Sequence, residues 1–126
     1  MILNTVQAIY QNNLQRSLKD EEKKAMTYLK SRGFSNETIR EFGVGYSNGN
    51  IKDELENYHQ ELVQQGILNA RNNERNYQRL MFPLHNEDGE LIGFNGRTLK
   101  EKSDTDQIYI KSVSYTHLRA HETTLH

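Results

Sequence analysis

Leu3, Val6, Tyr10 and Leu14, with Ile9 beside them, recur at the three-and-four spacing of one helix face. This predicts an amphipathic helix over about residues 2 to 18. Asp20 is placed to cap a second helix carrying Ala25, Met26, Tyr28 and Leu29, and Gly33 stops it. Ser35 or Asn36 then caps a short third helix with Ile39 and Phe42 inside and Gly43 at its end. Val44 to Asn50 reads as an extended piece followed by a turn. Ile51, Leu55, Tyr58 and Leu62 predict a further amphipathic helix ending at Gly66, and Ala70 to Asn76 is a polar loop.

The period then changes. In "RLMFPLHNEDGELIGFNGR", Arg79 to Arg97, two apolar runs flank the turn Asn86-Glu87-Asp88-Gly89, where Gly89 can take positive φ. Pairing outward sets Leu84 against Leu91, Phe82 near Gly93 and Arg79 near Gly96. Pro83 has no N–H to donate, so that side of its strand should face an edge or a bulge. Alternation puts Leu80, Phe82 and Leu84 on one face with Leu91, Gly93, Asn95 and Arg97. Arg79, Met81 and Pro83 share the other face with Ile92 and Phe94. Arg79 and Arg97 thus point to opposite faces, unless a one-residue bulge brings them together. Gly93 and Gly96 would let another backbone approach. Two readings stay open: an anion-contacting ridge, or a surface pair of Arg97 with Glu74 or Glu101 beside glycines that relieve twist. Lys100 to Gln107 is a charged loop, and Tyr109 begins another extended segment. The fold class expected is α+β, with N-terminal amphipathic helices followed by a small antiparallel or mixed sheet containing a β-hairpin.

The 126 residues suffice for one small domain. Hydrophobic residues are only 34% of them, so the periodic clusters above must supply the core. A net charge of −1 gives no bulk attraction to nucleic acid or membrane, so such a function needs local clustering. Arg71, Arg75, Arg79 and Arg97 hint at it. The lack of cysteine excludes disulfides and thiolate metal sites. No apolar run approaches the roughly 20 residues of a membrane span. There is no signal-peptide pattern, so the cytoplasm is the expected compartment.

At the hairpin the chain resembles the bacterial DnaG-type DNA primases, in the N-terminal subdomain of their RNA-polymerase (Toprim) catalytic core. Arg79-Leu-Met-Phe-Pro-Leu and Leu91-Ile-Gly-Phe-Asn-Gly-Arg97 match that family's hairpin. "YLKSRGFSNETIREFGVGYS" (Tyr28 to Ser47) and "LVQQGIL" (Leu62 to Leu68) match its upstream segments, in order and at similar spacing. The resemblance implies one wall of a shallow basic groove holding single-stranded DNA template and a short RNA–DNA hybrid, with primers made from nucleoside triphosphates. The family's groove arginines correspond to Arg32, Arg75, Arg79 and Arg97. Without the resemblance, Arg32 is a last-turn helix cation and Arg75 a loop arginine.

The chain also departs from the family. Asn76 and Tyr77 replace an aromatic and an arginine, and Asn95 replaces a glycine. The family's Lys-Tyr-Leu-Asn-Ser segment near the nucleotide site corresponds to Ile108 to Ser112: Tyr109 and Ser112 match, and Lys111 restores one positive charge. The Toprim carboxylates that hold Mg2+ or Mn2+, and the zinc module, are expected in other parts of the parent protein. No cofactor and no catalytic residue is assigned to this chain, and alone it is expected to be inactive. The Toprim subdomain, and a replicative helicase reached through a C-terminal domain, are implied partners. Residues 1–112 are expected to form the primase subdomain, and 113–126 a non-native, disordered tail. There His117, His121 and His126 suggest a metal site only weakly. Asp104 and Asp106 read as solvated, His59 and His85 as surface residues. Two alternatives stay open: a non-enzymatic nucleic-acid-binding or interaction module, and part of a phage or plasmid primase–helicase.

Overall fold

The computed structural model describes residues 2–99 and the backbone of the strand Tyr109–Val113. The tail histidines, Asp104, Asp106 and Glu101 lie outside the described residues.

Helix α1 (Ile2–Arg16) buries Leu3, Val6, Tyr10 and Leu14, the stripe the spacing predicts. Helix α2 is Asp20–Ser31. Its cap differs from expectation. Lys19 holds the cap position, and its N–H donates to Glu22 Oε1 at 3.0 Å. Asp20 instead joins Glu21 and Glu22 in the first turn, where negative charge favours the positive end of the helix. Gly33 ends α2 at φ 91°, a left-handed conformation that a side chain would strain.

Helix α3 is Asn36–Phe42, and Ser35 is its cap: the Thr38 N–H donates to Ser35 Oγ at 3.1 Å. Phe42, expected inside, is 65% exposed. Gly43 reverses the chain after it, the Val44 N–H returns to the Ile39 carbonyl at 3.1 Å, and buried Val44 takes the core position instead. The helix expected from Ile51 to Gly66 is also broken. It is α4 (Ile51–Glu54), a 3-10 turn (Glu56–Tyr58) and α5 (His59–Gln64). At Leu55 the backbone leaves the helical region (φ −124°, ψ 41°). Ile51 and Leu62 remain buried while Tyr58 comes out, 50% exposed. Packing of the two ends overrides the continuous period.

Strands β1 (Gly45–Ser47), β2 (Arg79–His85), β3 (Leu91–Thr98) and β4 (Tyr109–Val113) form one antiparallel sheet in the order β1-β2-β3-β4. The hairpin register is two residues off the one expected: Leu80 faces Arg97, Phe82 faces Asn95 and Leu84 faces Gly93. Two local features cause this. The turn closes one residue wider, with the Asn86 N–H on the Glu90 carbonyl at 3.0 Å and Asn86 Oδ1 accepting from the Asp88 and Glu90 N–H groups at 3.0 and 2.9 Å. A bulge then passes Ile92, so that His85 faces Leu91. Leu91 is thereby moved to the face opposite the one expected. Pro83 lies beyond Met81, where β1 stops pairing, so β2 loses no ladder bond there.

The core has two parts. Leu3, Val6 and Tyr10 of α1 gather with Ile51, Leu62, Leu68, Met81, Leu91 and Phe94. Tyr10 meets Phe94 edge to face, centroids 5.1 Å apart. By register, Tyr46 and Leu80 turn to the other face. There they join Leu14, Ala25, Leu29, Ile39 and Val44, with Tyr28 and Phe82 half-buried against them.

Candidate nucleic-acid interface

Tyr28 sits in the third turn of α2, and Arg32 directly follows that helix. Four residues along a helix is one turn, so the Arg32 side chain can fold back onto the ring. Its Cζ lies 5.2 Å from the ring centroid. Arg97 comes from β3 on the same side of the sheet as Leu80. Its Cζ lies 5.1 Å from the same centroid. Both are within cation–π range, about 6 Å. Arg97 Nη1 also donates to the Thr98 carbonyl at 3.2 Å, which orients the guanidinium. A helix end and a strand thus bring two permanent cations to one half-buried aromatic. Like charges so close repel, and an anion bridging them removes that cost.

The other expected contacts fall elsewhere. Arg79 faces Thr98 and Ser47 across its neighbouring strands, which sets it on the opposite face from Arg97. Its Nη1 donates to the Gly96 carbonyl at 3.3 Å. The bulge that could have united the two arginines lies at the turn end and leaves them apart. Arg75 is exposed on the loop after Leu68, with its N–H on the Ile67 carbonyl at 3.1 Å. Tyr109 is the register partner of Arg97, and Lys111 that of Asn95. Gly96 does admit a close approach, but the side chain of Asn76 fills it: an added Cβ would meet Asn76 Cγ at 2.7 Å. Asn76 is therefore buried rather than part of a solvated loop.

Glu74 is likewise buried. Ser47 Oγ donates to its Oε1 at 2.5 Å and the Ile51 N–H to its Oε2 at 3.2 Å. With both oxygens so engaged, it is not the surface partner considered for Arg97. Burial pushes its carboxyl above the ordinary value, Asp53 adds to this, and Ser47, Ile51 and Lys52 oppose it. Two further side chains hold the same turn. Asn13 Nδ2 donates to the Tyr46 carbonyl at 2.9 Å and exchanges amide bonds with Asn50. Buried Glu22 accepts from Asn48 Nδ2 at 2.5 Å. These polar anchors fix β1 and the start of α4 relative to α1 and α2.

The hollows nearby pair an acidic with a basic side chain, Glu21 with Lys24 and Glu74 with Lys52, and offer no cluster of cations. One of about 320 Å³ is lined by Glu21, Lys24, Tyr46, Gln78 and Leu99. Burial, followed by Glu21 and Glu22, pushes the Tyr46 hydroxyl up to about 12. Another, of about 410 Å³, has Glu74 in its wall. Among the described residues no group of three His, Cys, Asp or Glu is placed to hold a metal ion. No helix among them is long and apolar enough to cross a membrane.

Sequence reasoning missed Tyr28, Asn13, Glu22, Ser47, Glu74 and Asn76. For Tyr28 the signal was present in its four-residue spacing from Arg32. For Glu74 and Asn76 there was none, because a polar loop carries no periodicity to mark the residues it buries.

The sequence and the fold have counterparts in known proteins. The DNA primase of Staphylococcus aureus (strain COL) is 36% identical over 104 residues, covering 74% of this chain and 17% of the relative. That of Legionella pneumophila is 34% identical over 100 residues, covering 74% and 17%. A solved DnaG primase catalytic domain bound to ssDNA superimposes with a TM-score of 0.71 at 31% identity, covering 86% of this chain and 35% of that one. A DNA primase domain from Pseudomonas aeruginosa gives 0.73 at 27%, covering 88% and 36%. The chain thus spans about a sixth of the length of these curated relatives. Residues 9–119 match the family described as the DNA primase catalytic core, N-terminal domain, and the chain belongs to that family.

Proposed function

We propose that this chain is the template-binding part of a DNA primase that makes short RNA primers on single-stranded DNA during replication. The observation that carries the reading is the convergence of Arg32 and Arg97 on the Tyr28 ring. Guanidiniums suit phosphates because their planar fork bonds two oxygens at once. A positive groove with an aromatic beside it is the usual make-up of a surface for single-stranded nucleic acid. Arg32 and Arg97 form the centre of the contact. Tyr109 and Lys111, register partners of Arg97 and Asn95, belong to outer parts of the same path, where template and RNA–DNA hybrid continue; Arg75 on its loop and Arg79 on the opposite face of the sheet are secondary contacts at its edge.

In this reading the chemistry lies elsewhere in the parent protein. A Toprim subdomain supplies the carboxylates for Mg2+ or Mn2+ and joins the nucleoside triphosphates, a zinc module and a helicase-contacting domain complete the enzyme, and the whole works in the cytoplasm. This chain binds and orients, and alone makes no primer. The ssDNA-bound relative supports this over an interaction module without nucleic acid. The test is a titration of labelled single-stranded DNA at several salt concentrations. Weak, sequence-tolerant and strongly salt-dependent binding is expected, because phosphate contacts carry little sequence information. Binding that ignores salt, or template-dependent RNA synthesis by this chain alone, overturns the reading.

A further inference from the structure

The geometry points to Tyr28 as a positioning residue: its ring holds the Arg32 and Arg97 guanidiniums in place, so that a strand meets two oriented cations at once. This rests on the reading of those arginines as template contacts.

The two arginines come from elements far apart in sequence, and α2 and the β-sheet bring them to one ring. An arginine side chain has many rotamers, and ordering it on binding costs free energy. Arg32 is exposed, and its guanidinium rests on the ring. Arg97 is restricted by the ring together with the Thr98 carbonyl. Tyr28 itself cannot wander. It sits in the last turn of α2, half-buried against the cluster of Leu14, Ala25, Leu29 and Leu80. A rigid aromatic thus meets the ordering cost of both cations before any DNA arrives. Its quadrupole face orients a cation without neutralising it, as a carboxylate would.

The role separates from that of the arginines themselves. Replacing an arginine removes a phosphate contact and lowers the salt dependence. Replacing the ring leaves both charges, so affinity should fall while the salt slope stays. The experiment titrates the full chain with fluorescently labelled oligo(dT) over a range of salt, for the parent, Tyr28→Phe, Tyr28→Leu, Tyr28→Met and Arg97→Ala, with thermal melts of each. Tyr28→Phe should bind like the parent. Tyr28→Leu and Tyr28→Met should bind about three- to tenfold more weakly with the parent slope. Parent-like binding by Tyr28→Leu, or equal weakening by Tyr28→Phe, overturns the assignment. If Arg97→Ala binds like the parent with its slope unchanged, the template reading itself fails. A measurement on the unaltered chain needs no variant to fold. Nuclear Overhauser contacts from the Tyr28 ring to the side chains of both Arg32 and Arg97 are expected without DNA, and their absence overturns the preorganisation.

Discussion

Arg97 faces Leu80 across the β2–β3 ladder while Arg79 faces Thr98, so two arginines near one end of the hairpin are rooted on opposite faces of the sheet. A single strand lying along the Tyr28 side therefore meets Arg97 before Arg79. Arg97→Ala is expected to lower the log–log salt slope for single-stranded DNA by roughly 0.7, the value of one lost contact. It should weaken all sequences alike, and cost about 1 kcal/mol of stability, the order of its contact with the ring. Arg97→Lys keeps the charge but loses the fork, and should recover only part of the binding. Arg79→Ala should change the slope less. Titrations of the three variants decide this, and equal changes for Arg79→Ala and Arg97→Ala would show DNA engaging both faces.

Phe94 and Phe82 lie on neighbouring strands but differ in what they hold. Phe94 is 1% exposed and meets Tyr10 of α1 edge to face. Phe82 is half-buried at the margin of the second cluster. Phe94→Ala should therefore cost about 3–5 kcal/mol, and Phe82→Ala clearly less. Urea unfolding of both variants checks the order. A larger loss at Phe82 would mean that α2 and α3, rather than α1, carry most of the sheet's stability.

Gly96 is the floor on which Asn76 rests. Gly96→Ala puts a methyl group into the buried Asn76 side chain, 2.7 Å from its Cγ, so the loop must lift. Overpacking of this kind costs about 1–3 kcal/mol. Shortening the neighbour should restore part of the loss, since residues in contact are not additive. The double variant Gly96→Ala with Asn76→Ser should then be more stable than the two separate losses imply. Strict additivity would show that the loop is not seated on β3.

The helices were legible because their apolar spacing records burial directly: Leu3, Val6, Tyr10 and Leu14 are all inside. The hairpin's face assignment survived for Arg79, Leu80, Phe82 and Arg97, since a register error of two residues preserves faces. It failed at Leu91, where the bulge at Ile92 shifts the count by one. The candidate site was half legible. Arg32 and Arg97 were named, but their common ring was not, because Tyr28 meets Arg97 only through tertiary packing. Glu74 and Asn76 were hidden for the same reason. Their partners Ser47 and Gly96 lie far from them in sequence, and a polar residue in a polar stretch gives no sign of being inside.

Glu74 supplies a prediction in which the sign matters. Burial is the largest influence on its carboxyl and raises it above the ordinary 4.5, with Asp53 adding and Ser47, Ile51 and Lys52 opposing. The folded chain therefore binds this proton more tightly than the unfolded chain. From 4.5 up to the raised folded value, folded Glu74 carries more proton than unfolded Glu74, so its contribution to stability declines as pH rises. This is the reverse of a paired surface carboxylate, which is lost on acidification. Glu74→Gln removes the titration while keeping one acceptor oxygen for Ser47 or Ile51. Urea midpoints of parent and variant, compared from neutrality down to just below the ordinary value, should show the parent gaining on Glu74→Gln as the solution is acidified. The opposite trend would mean that the bonds from Ser47 Oγ and the Ile51 N–H to the charged carboxylate outweigh its burial. The turn joining β1 to α4 would then be held by an ionised group.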